Sequence, residues 1–307
     1  MLGPWLTGLR AEQVDAPATL ARWSDRTGLD LVALGTTATA DEIKDTAVTQ
    51  PLIVAAALLA YQQLTAALKE TDAGEDALAG FPTAGHSVGE LAAAAVAGSL
   101  SADAAVELAA IRGREMAAAC ALEQTGMSAV LGGKPEQVLQ RLDELGLDPA
   151  NQNGAGQVVA AGALDALERL GAEPPERARV ISLAVAGAFH TRFMAPAEEA
   201  LRGYADKLDF ADPRRPLLSN ADGATVTTGT ELRDRLVAQV TLPVRWDLCM
   251  AGLRELGVSA VIELAPAGTL SGLVKRELRG TPTLPLKSPA DLDSVAGLLA
   301  EHTGGAS

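Results

Sequence analysis

The chain has 307 residues, 48% of them hydrophobic, enough for one large α/β domain or two smaller ones with a core that needs no cross-links. A formal charge of -14, with no Lys/Arg-rich stripe, excludes direct nucleic-acid binding, because phosphate contacts need a basic field. Cys120 and Cys249 stand alone without Cys-x-x-Cys spacing, so neither a disulfide framework nor a metal site is expected.

The opening Met1-Leu2-Gly3-Pro4-Trp5 lacks the basic segment of a signal peptide. No apolar run approaches the ~20 residues of a membrane span, so a soluble, cytoplasmic protein is expected. A helix is predicted over 17–27, where Pro17 suits the first turn, and a short apolar run follows at 29–34. Residues 52–68 read as a long helix, hydrophobic on nearly all sides and therefore core, with the polar Gln50 at its entrance as the exception.

Gly85-His86-Ser87-Val88-Gly89-Glu90 then places G-x-S-x-G between the apolar run 81–84 and an alanine-rich helix over 91–97. Strand, sharp turn and helix in that order make a nucleophile elbow, with Gly85 and Gly89 flanking the serine where a Cβ would clash. Ser87 is the candidate nucleophile. It lies at a helix N-terminus, where unpaired N–H groups favour negative charge, and the N–H of Val88 is the candidate oxyanion donor.

Ser101 caps a helix over 104–121 that carries Arg112, by ordinary expectation a solvated charge. A strand at 126–133, a helix at 135–145, a strand at 157–162, a helix at 163–171 and a strand at 178–183 differ in grain from their flanks. They are expected to form a small inserted subdomain of the split βαβ type over 125–184, between the 1–124 and 185–307 parts of a large domain. The polar loop from Asn151 through Asn153 to Gln157 is either a plain turn or a binding lip. Of the three histidines, His86 sits on the tight turn and points away from the serine, and His302 lies in a polar tail expected to fray. His190, in Gly187-Ala188-Phe189-His190-Thr191, is the candidate general base. Strands at 217–220 and 258–264 alternate with helices over 230–240, up to 256, and over 269–278, which argues for a parallel sheet covered by helices. The Gly/Ser-rich residues 303–307 are expected to be disordered.

GHSVGE at Gly85, the Arg112-Gly113 pair, GAFHT at Gly187, Gln239 ahead of Pro243-Val244-Arg245-Trp246, and APAGTLSGL at Ala265 follow one another along the chain. In this order and at these spacings the chain resembles the malonyl-CoA:acyl carrier protein transacylases and the similar acyltransferase domains of polyketide synthases, over nearly its whole length. The resemblance implies an α/β-hydrolase-like parallel sheet with an inserted ferredoxin-like subdomain, in a monomer with no cofactor of its own. It implies ping-pong acyl transfer for fatty acid or polyketide synthesis, in which Ser87 takes malonyl from malonyl-CoA and passes it to the phosphopantetheine thiol of an acyl carrier protein. On the same resemblance His190 serves as base and then as acid, oriented by an acceptor from Gln239, while Arg112 pairs with the malonyl carboxylate. Phe189 crowds the α-carbon, and His86, Gln50 and Asn153 complete the substrate-binding set.

Members of that family begin with a strand ending in a G-Q-G-x-Q loop, whose last glutamine supplies a second oxyanion N–H, and nothing before Trp5 resembles it. The given start is therefore expected to lie about 15 residues late, and the chain as written to be poorly active. A serine hydrolase and a non-catalytic remnant are the other readings; the first is weakened by the lack of a plausible acid between elbow and histidine. An acidic carrier partner calls for a local basic cluster at the mouth of the site, including Arg192.

Overall fold

The computed structural model describes residues 1–71 and 74–303, so the end of the expected disordered tail, 304–307, lies outside the described residues. Thr46–Lys69 is a single helix of 24 residues, with the Asp45 carboxylate accepting from the Ala47 N–H at 2.9 Å at its start. It is long and apolar enough to cross a membrane, contrary to the sequence expectation, yet 72% of its apolar window is buried inside the protein. The apolar run reads short because polar Gln50 and Gln63 interrupt it. Both are buried with partners; Gln63 Nε2, for instance, donates to the Trp5 carbonyl at 2.7 Å.

Around this core helix pack the elbow helix Gly89–Val96 and a third helix, Ala102–Cys120, all three rich in alanine. Small side chains let the axes come close. At Gly113 a Cβ would stand 2.6 Å from the Thr46 carbonyl oxygen, so only glycine permits the approach that brings Gln50 beside Arg112. Ser101 caps the third helix as expected, its hydroxyl accepting from the Ala104 N–H at 3.1 Å.

The fold is of the α/β class with helices and small sheets, and the continuous parallel sheet expected from the alternation of strands and helices is replaced by fragments. In the small unit, β1 (Thr125–Gly132), β2 (Asp148–Gln152), β3 (Gln157–Ala163) and β4 (Ala178–Ser182) form a wholly antiparallel sheet in the order β2-β3-β1-β4. Helices Pro135–Leu145 and Leu164–Ala172 connect its strands, and this unit has an apolar cluster of its own around Val138, Leu142 and Leu170. β2 has no counterpart in the sequence reading, because Asp148, Pro149 and Asn151 are poor strand formers.

Elsewhere β5 (Leu217–Leu218) and β6 (Thr225–Val226) make an antiparallel ribbon, and β7 (Val261–Glu263) pairs in parallel with β8 (Thr283–Pro285). The only further parallel contacts among the described residues are single bridges, Thr83 to Leu217 and Asn151 to Val244. Prolines explain the short ladders. Pro82, Pro216, Pro282 and Pro285 each remove a backbone donor at or beside a paired segment. The C-terminal residues Val295–Thr303 are helical, and His302, expected in a frayed tail, has Nδ1 3.1 Å from the Ser259 hydroxyl.

Candidate active site

The elbow forms as the glycine pattern requires, with one correction. A Cβ on Gly85 would lie 2.0 Å from the Gly89 carbonyl oxygen, so turn and helix meet there with no room for a side chain, whereas a Cβ on Gly89 would enter open space. Ser87 is held at φ +52°, the left-handed region that non-glycine residues rarely adopt. What holds it is Asn220: Oδ1 accepts from the Ser87 N–H and Nδ2 donates to the Gly85 carbonyl, each at 2.7 Å. The Val88 N–H, ahead of the helix, makes no hydrogen bond among the described residues and is free to receive an oxyanion.

Ser87 Oγ donates to His190 Nε2 at 2.7 Å. His190 Nδ1 lies 2.8 Å from the Gln239 backbone carbonyl, which can only accept, so Nδ1 carries the proton and Nε2 is left as the base. His190 is buried at φ +61°, and burial pushes its imidazole down to about 3, with the nearby Arg112 cation acting in the same direction. The neutral base therefore persists to far lower pH than an ordinary histidine's. In Glu90→Gln, which removes the neighbouring carboxyl that burial lifts to about 7, we expect Ser87 acylation by a small neutral ester such as p-nitrophenyl acetate to show no inflection near the usual ~6.5 as pH is lowered from 8 to 5. Half-loss of rate at that pH would contradict the burial of the imidazole.

Arg112 departs most from its sequence expectation: it is only 2% exposed. Nη1 donates to Gln50 Oε1, and Nη2 donates to Gln239 Oε1 at 2.8 Å and to Ser87 Oγ at 3.3 Å. Among the described residues it makes no ion pair, and its Nε has no partner. Burial lowers the guanidinium to about 10, opposed by the Glu90 carboxylate, so it stays charged at neutral pH. Glu90 is 1% exposed and burial lifts it to about 7, against the Asn220 N–H and the Gln239 amide, which hold it down. Glu90 and Arg112 do not touch; the Gln239 carboxamide stands between them, donating to Glu90 Oε2 and accepting from Arg112.

His86 points away from the serine, as expected. Its Nε2 donates to Asn153 Oδ1 at 2.8 Å and its ring packs on Trp246 with centroids 5.5 Å apart, so the 151–157 loop is tied to the elbow rather than hanging as a plain turn. Phe189 is partly buried between the main core and the small unit. β2 is extended by Val244, which exchanges backbone bonds of 2.9 Å with Ala150 and Gln152 and so draws the segment after Gln239 against the small sheet. A cavity of about 540 Å³ beside the Gly229–Ala238 helix reaches Glu90 and Gln239 without being lined by Ser87 or His190.

Neutral imidazole and buried cation both lie within hydrogen-bonding distance of the Ser87 hydroxyl, with the free Val88 N–H next in the chain, a constellation suited to acyl transfer through a serine ester. The description of the acyl transferase domain matches residues 18–306. The chain belongs to the acyl transferase family. A "Malonyl CoA-acyl carrier protein transacylase" of Mycobacterium tuberculosis is 57% identical over 298 residues, covering 97% of this chain and 95% of that relative. One of Mycolicibacterium smegmatis is 54% identical, covering 96% and 99%. Among solved structures, the MCAT of Mycobacterium tuberculosis superposes with a TM-score of 0.87 at 56% identity, covering 96% of this chain and 94% of that one. A malonyl-transacylase solved in complex with a type II PKS acyl-carrier protein gives 0.84 at 29% identity, covering 97% and 94%.

Within this acyl transferase Ser87, His190, Arg112, Gln50 and Gln239 come together as one hydrogen-bonded group, His86 and Asn153 pair beside the elbow, no hydrogen bond among the described residues ties Phe189 to them, and two residues passed over in the sequence join the group, Glu90 and Asn220. Glu90 had a signal: it is the one charge in an alanine-rich helix. Asn220 had none beyond ending a short apolar run. Arg192, expected in a basic cluster at the mouth, is exposed, pairs with Asp148 at 3.0 Å and lies over the Phe193 ring.

Proposed function

We propose that this acyltransferase moves malonyl from malonyl-CoA to the phosphopantetheine thiol of an acyl carrier protein, through an ester on Ser87. Arg112 is the observation that carries the reading. A guanidinium buried without a carboxylate partner, 3.3 Å from the nucleophile, is complementary to an acyl group that brings its own negative charge. The names of the relatives and the solved carrier-protein complex support the same donor and acceptor.

In the first half-reaction His190 Nε2 takes the Ser87 proton as Oγ attacks the thioester carbonyl, and the Val88 N–H receives the oxyanion. Collapse breaks the C–S bond, and the imidazolium returns its proton to the departing thiolate. The second half runs in reverse with the carrier thiol as nucleophile. The Gln239 carbonyl fixes the tautomer of His190 but, being neutral, stabilises the imidazolium less than a carboxylate would. Gln50 holds Arg112, Phe189 crowds the α-carbon, and His86 with Asn153 fastens the small unit over the elbow. The strand order β2-β3-β1-β4 supports reading that unit as a ferredoxin-like insertion. The proposal needs no metal or organic cofactor, and it pictures a monomer working in the cytoplasm.

Intact-protein mass after brief exposure to malonyl-CoA tests it. We expect one malonyl adduct that is absent in Ser87→Ala and that discharges onto a holo-carrier thiol. Absence of the adduct, or its loss to water faster than to the thiol, would overturn the transferase reading.

A further inference from the structure

The buried charges around Gln239 are arranged so that the orientation of one side-chain amide decides what Arg112 can bind. Around Gln239 Nε2 lie three acceptors: Glu90 Oε2, and the Ser87 carbonyl and Asn220 Oδ1, both at 3.2 Å. Gln239 Oε1 is thereby turned to Arg112 Nη2, at 2.8 Å. Were the amide rotated by half a turn, its N–H₂ would face the guanidinium, donor against donor, and its oxygen would face the carboxylate. Glu90 is the only ionisable member of the acceptor set, and it is itself fixed, because Oε1 accepts from the Asn220 N–H at 3.0 Å. With one oxygen on the backbone and the other on the amide, the carboxylate has a single arrangement that satisfies both donors.

We propose that Glu90 is a positioning residue for recognition of the acyl carboxylate: through the Gln239 amide it holds the Arg112 guanidinium in the place from which it pairs with the substrate. The inference rests on the malonyl reading of Arg112 and assigns the glutamate of Gly85-His86-Ser87-Val88-Gly89-Glu90 a task separate from that of the serine. It acts at one remove. Glu90 touches neither Ser87 Oγ nor His190, so its removal weighs on the choice of acyl group more than on the chemistry at the serine.

The test compares malonyl-CoA with acetyl-CoA, which lacks the carboxylate. Glu90→Gln is nearly isosteric but puts an N–H₂ where one of two donors must be met. We expect its malonyl-over-acetyl ratio of kcat/KM to fall about 10-fold, because one hydrogen bond to a charged group in a buried site is misaligned. Gln239→Met keeps the backbone carbonyl that orients His190 and removes the amide; the same ratio should fall by a similar factor. In the Gln239→Met background, Glu90→Gln should then change the ratio no further, since the route through the amide is already cut. Equal loss with both donors, or additive losses in the double variant, would overturn the proposal while leaving the transferase reading intact. Failure of the unaltered protein to accept malonyl at all would sink that reading, and this inference with it.

Discussion

His190→Ala is expected to slow malonyl loading of Ser87 by about 10²–10⁴, the range associated with loss of a positioned general base. The expectation follows from geometry. The imidazole Nε2 lies 2.7 Å from Ser87 Oγ, and the Gln239 carbonyl holds the opposite nitrogen protonated. No other histidine can take over: His86 is committed to Asn153, and His302 lies against Ser259. Arg112 also reaches Ser87 Oγ, but a guanidinium is only a donor and cannot remove a proton. Rapid-quench measurement of the adduct gives the rate directly. Combining His190→Ala with Ser87→Ala should cost no more than Ser87→Ala alone, since the two act as a unit. A loss below tenfold for His190→Ala would mean that another group, or solvent, takes the serine proton.

How far this site can be read from sequence depends on the range over which each contact acts. The elbow is local, so two glycines around a serine before an alanine-rich run suffice to place Ser87, and with only three histidines the choice of His190 follows. Asn220 is different: it meets the elbow across more than a hundred residues of chain, and no local pattern marks an asparagine that will span Ser87 and Gly85. Arg112 misleads, because helical arginines ordinarily reach solvent and only the close crossing at Gly113 buries this one. The sheets are shorter than their apolar runs suggest for a related reason. Apolar runs beside Pro82 and Pro216 look like strands of ordinary length, but pairing needs donors that proline does not have. Gly89 shows the converse: the motif suggested a packing constraint on both glycines, and only Gly85 meets one.

Substituting Arg112 is expected to have the larger effect on which acyl group is carried. A fork of charge-assisted hydrogen bonds to a carboxylate contributes about 1.5–3 kcal/mol per bond in a buried site, so Arg112→Ala should lower the malonyl-over-acetyl ratio of kcat/KM by about 10²–10⁴. Part of the loss will fall on both donors alike, because Gln50 Oε1 and Gln239 Oε1 lose their donor on substitution. Each buried, unsatisfied acceptor costs about 1–3 kcal/mol, which the melting temperature would register separately. Arg112→Lys separates charge from geometry. Lysine keeps the cation but has a single nitrogen, and it cannot reach Gln50, Gln239 and a substrate carboxylate with a planar fork. We therefore expect the lysine variant to retain some preference for malonyl while losing at least tenfold in its kcat/KM. If alanine and lysine instead depress malonyl and acetyl equally, Arg112 serves to hold the elbow and the selectivity for a charged acyl group must come from elsewhere. If only the ratio moves, the unpaired guanidinium beside Ser87 is the feature that tells a diacid from a monoacid.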